Sequence, residues 1–353
     1  MRNQRLIWPI LVLMALFACQ SGGGEASSDA TVAAAPVVTT NTTTTDPTPL
    51  QDGVDYTKTA DYSGRTNWAC DNDSIVDAVT GQVLEPDVAM TTNMAALVRQ
   101  FLSNSIPDHR VGDFPNNANP NTIGEVAVSY DLVLRVEGEQ PDLRTATTVP
   151  HAAISLGGIL FDPNTAEFYN NDRNSGWNYE ALTVGAANNS DLSGAIGYLG
   201  TDCNNAHVQP TGKYHYHGMP EALVDDFLQA AGHSTNNPAM VLLGFAADGY
   251  PVYARYGYVD AMDPNSGITV MRGSYELKSG TRPSGPGGSY DGTFVQDWTF
   301  DAETGDLDAC NGRYGVTPEY PGGIYHYFVT DDYPFVQRCV WGEPTVDAFN
   351  AGP

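Results

Sequence analysis

The sequence predicts a mainly β fold: a single β-rich, sandwich- or barrel-like domain with two short helices and long loops. Three observations predict it. Glycine and proline, 36 and 23 residues, cut the chain into short runs, and short runs between such punctuation favour strands over helices. One run, residues 126–136, alternates apolar and polar side chains, the period of a half-buried strand. One pair of runs, residues 241–247 and 250–256, is joined by Asp248-Gly249, a dipeptide suited to a two-residue hairpin turn.

From the N-terminus, the chain opens with Arg2 and Arg5, an apolar run over 6–18, and Cys19. A basic start before a short apolar core reads as a secretory signal, too short for a spanning helix. Leu16-Phe17-Ala18-Cys19 has the form of a bacterial lipobox, which places cleavage before Cys19 and lipid on its thiol and new amino group. Residues 1–18 are thus expected to be a lipoprotein signal peptide. Residues 19–55, rich in Ser, Thr, Ala, Gly and Pro, are expected to be a disordered tether that cannot bury enough apolar surface to fold. The globular domain is expected over 56–353. With Gln at position 20, the expected location is the cell envelope, lipid-anchored, at the outer membrane if the host has two membranes.

Within the body, Met94, Leu97, Val98, Phe101 and Leu102 recur at helical spacing after Thr92 or Asn93 and predict the first helix. Residues 126–136 alternate and predict a long strand. Residues 154–161 predict another, ending at Asp162-Pro163-Asn164. The second helix starts at Pro220-Glu221, buries Leu223, Phe227 and Ala231, and stops at Gly232. After the hairpin around Asp248-Gly249, strands are expected over 325–330 and 335–340.

The formal net charge is −26, and −28 once Arg2 and Arg5 leave with the signal. So acidic a surface excludes a nucleic-acid partner, which needs basic patches. Solubility or contact with cations suits it. Of five cysteines, Cys19 takes the lipid, and the even number left predicts two disulfides in an exported chain. Three pairings are possible. The preferred one joins Cys310 to Cys339, which bracket a Tyr-His-Tyr segment, and Cys70 to Cys203. No C-x-x-C occurs, which disfavours a thiolate zinc site.

The motif that carries chemistry is Tyr214-His215-Tyr216-His217, echoed by Tyr325-His326-Tyr327. In an extended strand His215 and His217 share one face and the tyrosines take the other, so the two imidazoles can converge on one metal ion. His207, eight residues before His215, joins them if the chain folds back. His326 holds in the second segment the place of His215 in the first, and His151 precedes the predicted 154–161 strand. These five are the candidate ligands. His233, past a helix C-terminus, reads as structural, and His109 has the weakest case for a ligand. Imidazoles suit copper or zinc rather than calcium or magnesium, and copper is favoured. Tyr214, Tyr216, Asp248, Tyr325 and Tyr327 are candidate supports, with Asp202, Glu319 and Asp331 as further acceptors for the second ring nitrogen. Lys213 reads as a solvated strand end. Asp71-Asn72-Asp73 and residues 172–176 read as Asx turns, because the closing glutamate of a calcium loop is missing. No G-x-S-x-G, H-E-x-x-H or phosphate-binding Gly-Lys loop is present.

Several blocks, taken together, resemble the YHYH-domain family of mostly exported bacterial proteins. They are Pro107-Asp108-His109 with Gly112 and Phe114-Pro115-Asn116, then Asn205-Ala206-His207-Val208-Gln209-Pro210-Thr211-Gly212, then the tetrapeptide with Gly218. Residues 244–251, Asp306-Leu307-Asp308, Asn311-Gly312-Arg313 and Tyr325-His326-Tyr327 follow in order. The resemblance implies one domain over roughly 105–345, export, and weight on His207, His215, His217 and His326. It brings no activity with it. Phe328 stands where His217 does, so a two-fold pseudo-symmetric site would lack one imidazole.

Three functions fit. The first is a membrane-anchored exported lipoprotein with a histidine-based site for copper, or next zinc, in metal handling or redox. The second is a metal-dependent hydrolase or oxygenase with three imidazoles, an open coordination position and an acid or base such as Asp248 or Glu319. The third is a non-enzymatic module with a glycan or protein partner, its 19 tyrosines and five tryptophans supplying stacking surfaces.

Overall fold

The computed structural model describes residues 70–116, 118–182 and 197–345. The predicted signal peptide, Cys19, the tether and residues 56–69 lie outside the described residues.

Among the described residues the protein is mainly β, as expected, with one α-helix. After a short antiparallel pairing of Ile75–Val76 with Val83–Leu84, a three-stranded antiparallel sheet follows: β1 (Val88–Asn93), β2 (Val98–Ser103) and β3 (Val128–Val133). The helix predicted over 94–102 is thus a turn and a strand. Asn93 Oδ1 accepts from the Ala95 and Ala96 amides, 3.1 and 3.0 Å, and Leu97 adopts a left-handed φ of 53°. Met94, Leu97 and Leu102 are exposed, whereas Arg99, Phe101 and Ser103 face inward at strand spacing. The Arg99 guanidinium lies 3.4 Å over the Phe245 ring, so an arginine occupies a position that an apolar-periodicity argument leaves to solvent.

An open eight-stranded mixed sheet forms the frame and does not close into a barrel. Its strands are β4 (Ala153–Ser155), β5 (Leu160–Phe161), β6 (Ala206–Val208), β7 (Tyr214–Tyr216), β8 (Leu242–Ala246), β9 (Pro251–Tyr253), β10 (Gly312–Gly315) and β11 (Ile324–Phe328). The spatial order is β10-β11-β9-β8-β4-β5-β7-β6, which has the same plan from either end. Outward from the centre, each half runs as an antiparallel hairpin, a parallel neighbour and an antiparallel edge. At the centre Ile154 faces Phe245, flanked by the pairs Ala153–Ala246 and Ser155–Gly244. That crossed register is what a two-fold axis between Ile154 and Phe245 would produce.

The single strand predicted over 154–161 is therefore two strands. Gly157-Gly158 turns the chain back, with Gly158 at φ +76°; β4 and β5 are buried throughout, so an apolar run does not reveal the reversal. The Asp248-Gly249 turn forms as expected between β8 and β9, with Gly249 at φ +85°. The strand predicted over 335–340 shrinks to Cys339–Val340, paired with Thr147–Thr148, because Phe335 takes a φ of 59°. Both disulfides of the preferred pairing are present, Cys70–Cys203 and Cys310–Cys339.

Helix α1 (Glu221–Ala230) joins the two halves. It starts after Pro220, whose missing N–H is no loss at a helix start, and ends before Gly232 at φ +75°. Its buried stripe is Ala222, Leu223, Val224 and Leu228, rotated from the one predicted, so Ala231 is exposed.

The central contact is close. A β-carbon on Gly244 would lie 1.9 Å from the Ile154 carbonyl oxygen, which only backbone movement could relieve. Gly244→Ala is expected to destabilise the protein by about 3 kcal/mol, the upper end for overpacking. Urea denaturation checks this, and an unchanged midpoint would contradict the close approach.

Candidate metal centre

The hairpin β6–β7 builds the site. Its turn closes through Gln209 N to Lys213 O (2.9 Å) and Gly212 N to Gln209 O (2.8 Å), with Gly212 at φ +91°. The register this sets places His207 directly opposite His215, Val208 opposite Tyr214 and Ala206 opposite Tyr216. Residues paired across an antiparallel ladder point to the same face, so His207 and His215 project together, and alternation puts His217 beside them. The main chain continues past β7 through His217 N to Asn205 O, 2.7 Å.

The three rings pack as a triangle, with centroids 4.5 Å (His207–His215), 4.9 Å (His207–His217) and 4.8 Å (His215–His217) apart. One nitrogen from each lies within 4.8 Å of the others. His207 Nε2 and His217 Nε2 are 3.1 Å apart. Two nitrogens on one tetrahedral ion at 2.0–2.1 Å would be about 3.3 Å apart, so this pair needs little movement to chelate.

The electrostatics favour neutral donors. Burial pushes His207 down to about 4, against the hydrogen bond to the Leu199 carbonyl. Burial first, then the facing imidazoles, holds His215 well below its ordinary value. Burial and His207 do the same to His217. Each ring therefore resists a proton yet can offer a lone pair to a cation. A carbonyl oxygen only accepts, so the 2.9 Å contact of His207 Nδ1 with Leu199 O keeps the proton on Nδ1 and leaves a lone pair on Nε2, 3.1 Å from His217 Nε2, for a metal. That carbonyl is the support sequence reasoning missed, and a backbone oxygen leaves no residue signature.

Other groups gather near the triad. His151 Nδ1 is 3.6 Å from Asp162 Oδ2. Burial lowers His151 to about 4 and raises Asp162 to about 7, so at neutral pH this is a neutral imidazole beside a carboxyl, not an ion pair. Lys213 is buried rather than solvated, 5% exposed, with its ammonium disfavoured by burial and favoured by Asp162. Arg338 pairs with the buried Glu180 and adds positive potential at His217.

Not every candidate joins the site. His151 lies outside the three-imidazole cluster. His326 sits on β11, five strand spacings from β7, about 24 Å at 4.8 Å each. The tyrosines of the motif face the core on the other side of the sheet. Tyr214 donates to Asp202 Oδ2 (2.7 Å) and Tyr216 to His109 Nε2 (2.6 Å), whose Nδ1–H donates to Arg110 O (2.9 Å). Tyr325 donates to Asp308 and Tyr327 to Asp248, at 2.7 and 2.8 Å. Glu319 accepts from Tyr253, and Asp331 from Arg255. Asp202, Asp248, Glu319 and Asp331 thus support the fold rather than the triad. His233 lies outside the cluster, its ring Nδ1 3.2 Å from Asn237 O just past the helix.

His326 carries a separate expectation. It is fully buried, donates through Nδ1 to Ile324 O (2.9 Å) and is lowered to about 3, chiefly by burial. In the unfolded chain it titrates near 6.5. Its contribution is complete above that pH and falls as pH drops from 6.5 towards 3, because only the unfolded state takes up the proton. Between pH 7 and 4 the loss is about 3 kcal/mol, at 1.36 kcal/mol per unit. His326→Phe should flatten that part of the urea-derived stability profile, and an equally steep profile would count against it.

The family model described as YHYH protein matches residues 135–342. This is more than half of the chain and contains the triad, and the chain belongs to that family. No curated protein and no solved structure matches it.

Proposed function

We propose that this YHYH family member binds one transition-metal ion through His207, His215 and His217, copper first and zinc second, and serves metal handling or a small redox centre. The observation that carries the reading is the convergence within 4.8 Å of three imidazole nitrogens, from the half-buried His207 and the buried His215 and His217. Among the described residues no thiolate or carboxylate joins that cluster. An all-imidazole donor set suits copper and zinc, and copper stands above zinc in affinity for such sites. Three protein donors leave room for a further ligand. Export and a lipid anchor at Cys19 belong to the same reading, and two disulfides suit an oxidising compartment. The test is metal content by mass spectrometry on protein purified from a periplasm without chelator. Near one copper or zinc per chain is expected. Folded protein that takes up neither ion on reconstitution would overturn the reading.

A second reading, a metal-dependent hydrolase or oxygenase, is favoured by the buried Asp162, His151 and Lys213 beside the triad. A carboxyl poised near neutrality can take a proton from a metal-bound water. In that case Asp162→Asn keeps the metal and loses turnover of a hydrolysable or oxidisable substrate. Equal turnover would remove this reading.

A further inference from the structure

The two halves of the eight-stranded sheet correspond residue by residue. In the inner hairpins, Ser155 N bonds Ile159 O and Gly158 N bonds Ser155 O. Ala246 N bonds Tyr250 O and Gly249 N bonds Ala246 O in the same way. The outer hairpins match as well. Asp202 N bonds Ala206 O and Asp308 N bonds Gly312 O, while Asn205 and Asn311 both adopt left-handed φ, 51° and 63°. Each aspartate then receives the hydroxyl of the first tyrosine of its Tyr-His-Tyr segment, Tyr214 or Tyr325, at 2.7 Å in both cases. His217 N bonds Asn205 O, and Phe328 N bonds Asn311 O.

This correspondence gives every triad member a counterpart. His215 corresponds to His326. His207, opposite His215, corresponds to Arg313, opposite His326. His217 corresponds to Phe328. Ring geometry survives the replacement: His326 and Phe328 lie 5.0 Å apart at 63°, against 4.8 Å and 71° for His215 and His217. The Arg313 guanidinium lies 5.5 Å from the Phe328 centroid and donates to Tyr258 O at 2.7 Å. His326 Nε2 is buried without a hydrogen-bond partner. The second position therefore lacks two imidazoles, not the one expected from Phe328 alone.

We propose that Arg313, His326 and Phe328 mark a silent second metal position, in which the Arg313 guanidinium stands where the first half offers an imidazole to a cation. The proposal rests on the metal-binding reading of the first half. It assigns that reading to a repeated unit rather than to one hairpin. The first half holds a positive charge only by binding an ion to neutral donors, and the second has a permanent one built in. Restoring the two missing imidazoles should open the second position to the same class of divalent ion.

The experiment compares wild type with Arg313→His/Phe328→His, each titrated with copper(II) and with zinc(II), followed by metal analysis after desalting. One additional ion per chain in the variant is expected. A folded variant with no additional ion overturns the proposal. The reciprocal change, His207→Arg/His217→Phe, installs in the first half what the second already packs. It should fold, by circular dichroism and melting temperature, and bind no metal there; failure to fold would overturn the equivalence, even if the first variant proved insoluble. If wild type binds no ion, the reading of the first half fails. That outcome takes the second position with it, whereas a variant that fails to gain an ion beside a metal-binding wild type overturns the second position alone.

Discussion

Replacing His215 and His217 together by alanine is expected to leave a folded protein whose affinity for copper or zinc is lower by at least about a thousandfold. The two residues supply two of three convergent donors, and His207 alone cannot chelate. The fold should survive because the β6–β7 register depends on backbone bonds and on Tyr214 and Tyr216, which pack on the other face. Removing two buried imidazoles whose charged forms are disfavoured also removes part of the acid sensitivity. A linked effect gives a second readout. With free metal at a thousand times its Kd, wild type should gain about 4 kcal/mol of stability and the variant almost none. Competition with a chelator and thermal melting with and without ion check both. A variant that keeps stoichiometric metal would move the site elsewhere.

Arg338→Met is expected to destabilise the protein by about 3–5 kcal/mol. Glu180 is 1% exposed, and burial raises its pKa even with Arg338 beside it. Without the guanidinium, a buried carboxyl loses its charge partner. Arg338 also lies 4.9 Å over the Tyr333 ring, and methionine retains part of that packing, so the loss reports mainly on charge. Glu180→Gln/Arg338→Met should recover part of the stability, because a neutral amide is far less costly to bury. Urea unfolding of the three proteins provides the cycle. A single-variant loss below about 1 kcal/mol would mean that solvent reaches the pair.

How much of this was legible in the chain depends on the interaction involved. Strand alternation alone places His215 and His217 on one face, and the Asp248-Gly249 turn is a local signal, so both can be read from neighbours in sequence. The position of His207 opposite His215 depends on hairpin register, which sequence only permits. The Leu199 carbonyl and the buried Lys213 depend on tertiary packing and have no local sign. Residues 94–102 misled because exposed Met94, Leu97 and Leu102 mimic a helical stripe, while the inward Arg99 breaks the strand pattern that would have corrected it. The repeat was hidden for a different reason. Equivalent residues such as Ser155 and Ala246, His207 and Arg313, and Tyr216 and Tyr327 are separated by unequal lengths of chain, so no fixed period survives, and identical pairs such as Asp202 and Asp308 or Asn205 and Asn311 stand among unlike neighbours.

The crossed pairing of Ile154 with Phe245 has an evolutionary consequence. A half-sheet ending on β4 has an unpaired edge whose natural complement is another copy of itself, the self-complementary contact of a closed two-subunit assembly. Joining two such copies through the segment that contains α1 makes their association intramolecular and independent of protein concentration. It also releases the copies from identity. A homodimer changes both of its sites with every substitution, whereas a fused pair can keep three imidazoles in one copy while the other exchanges two of its own for an arginine and a phenylalanine.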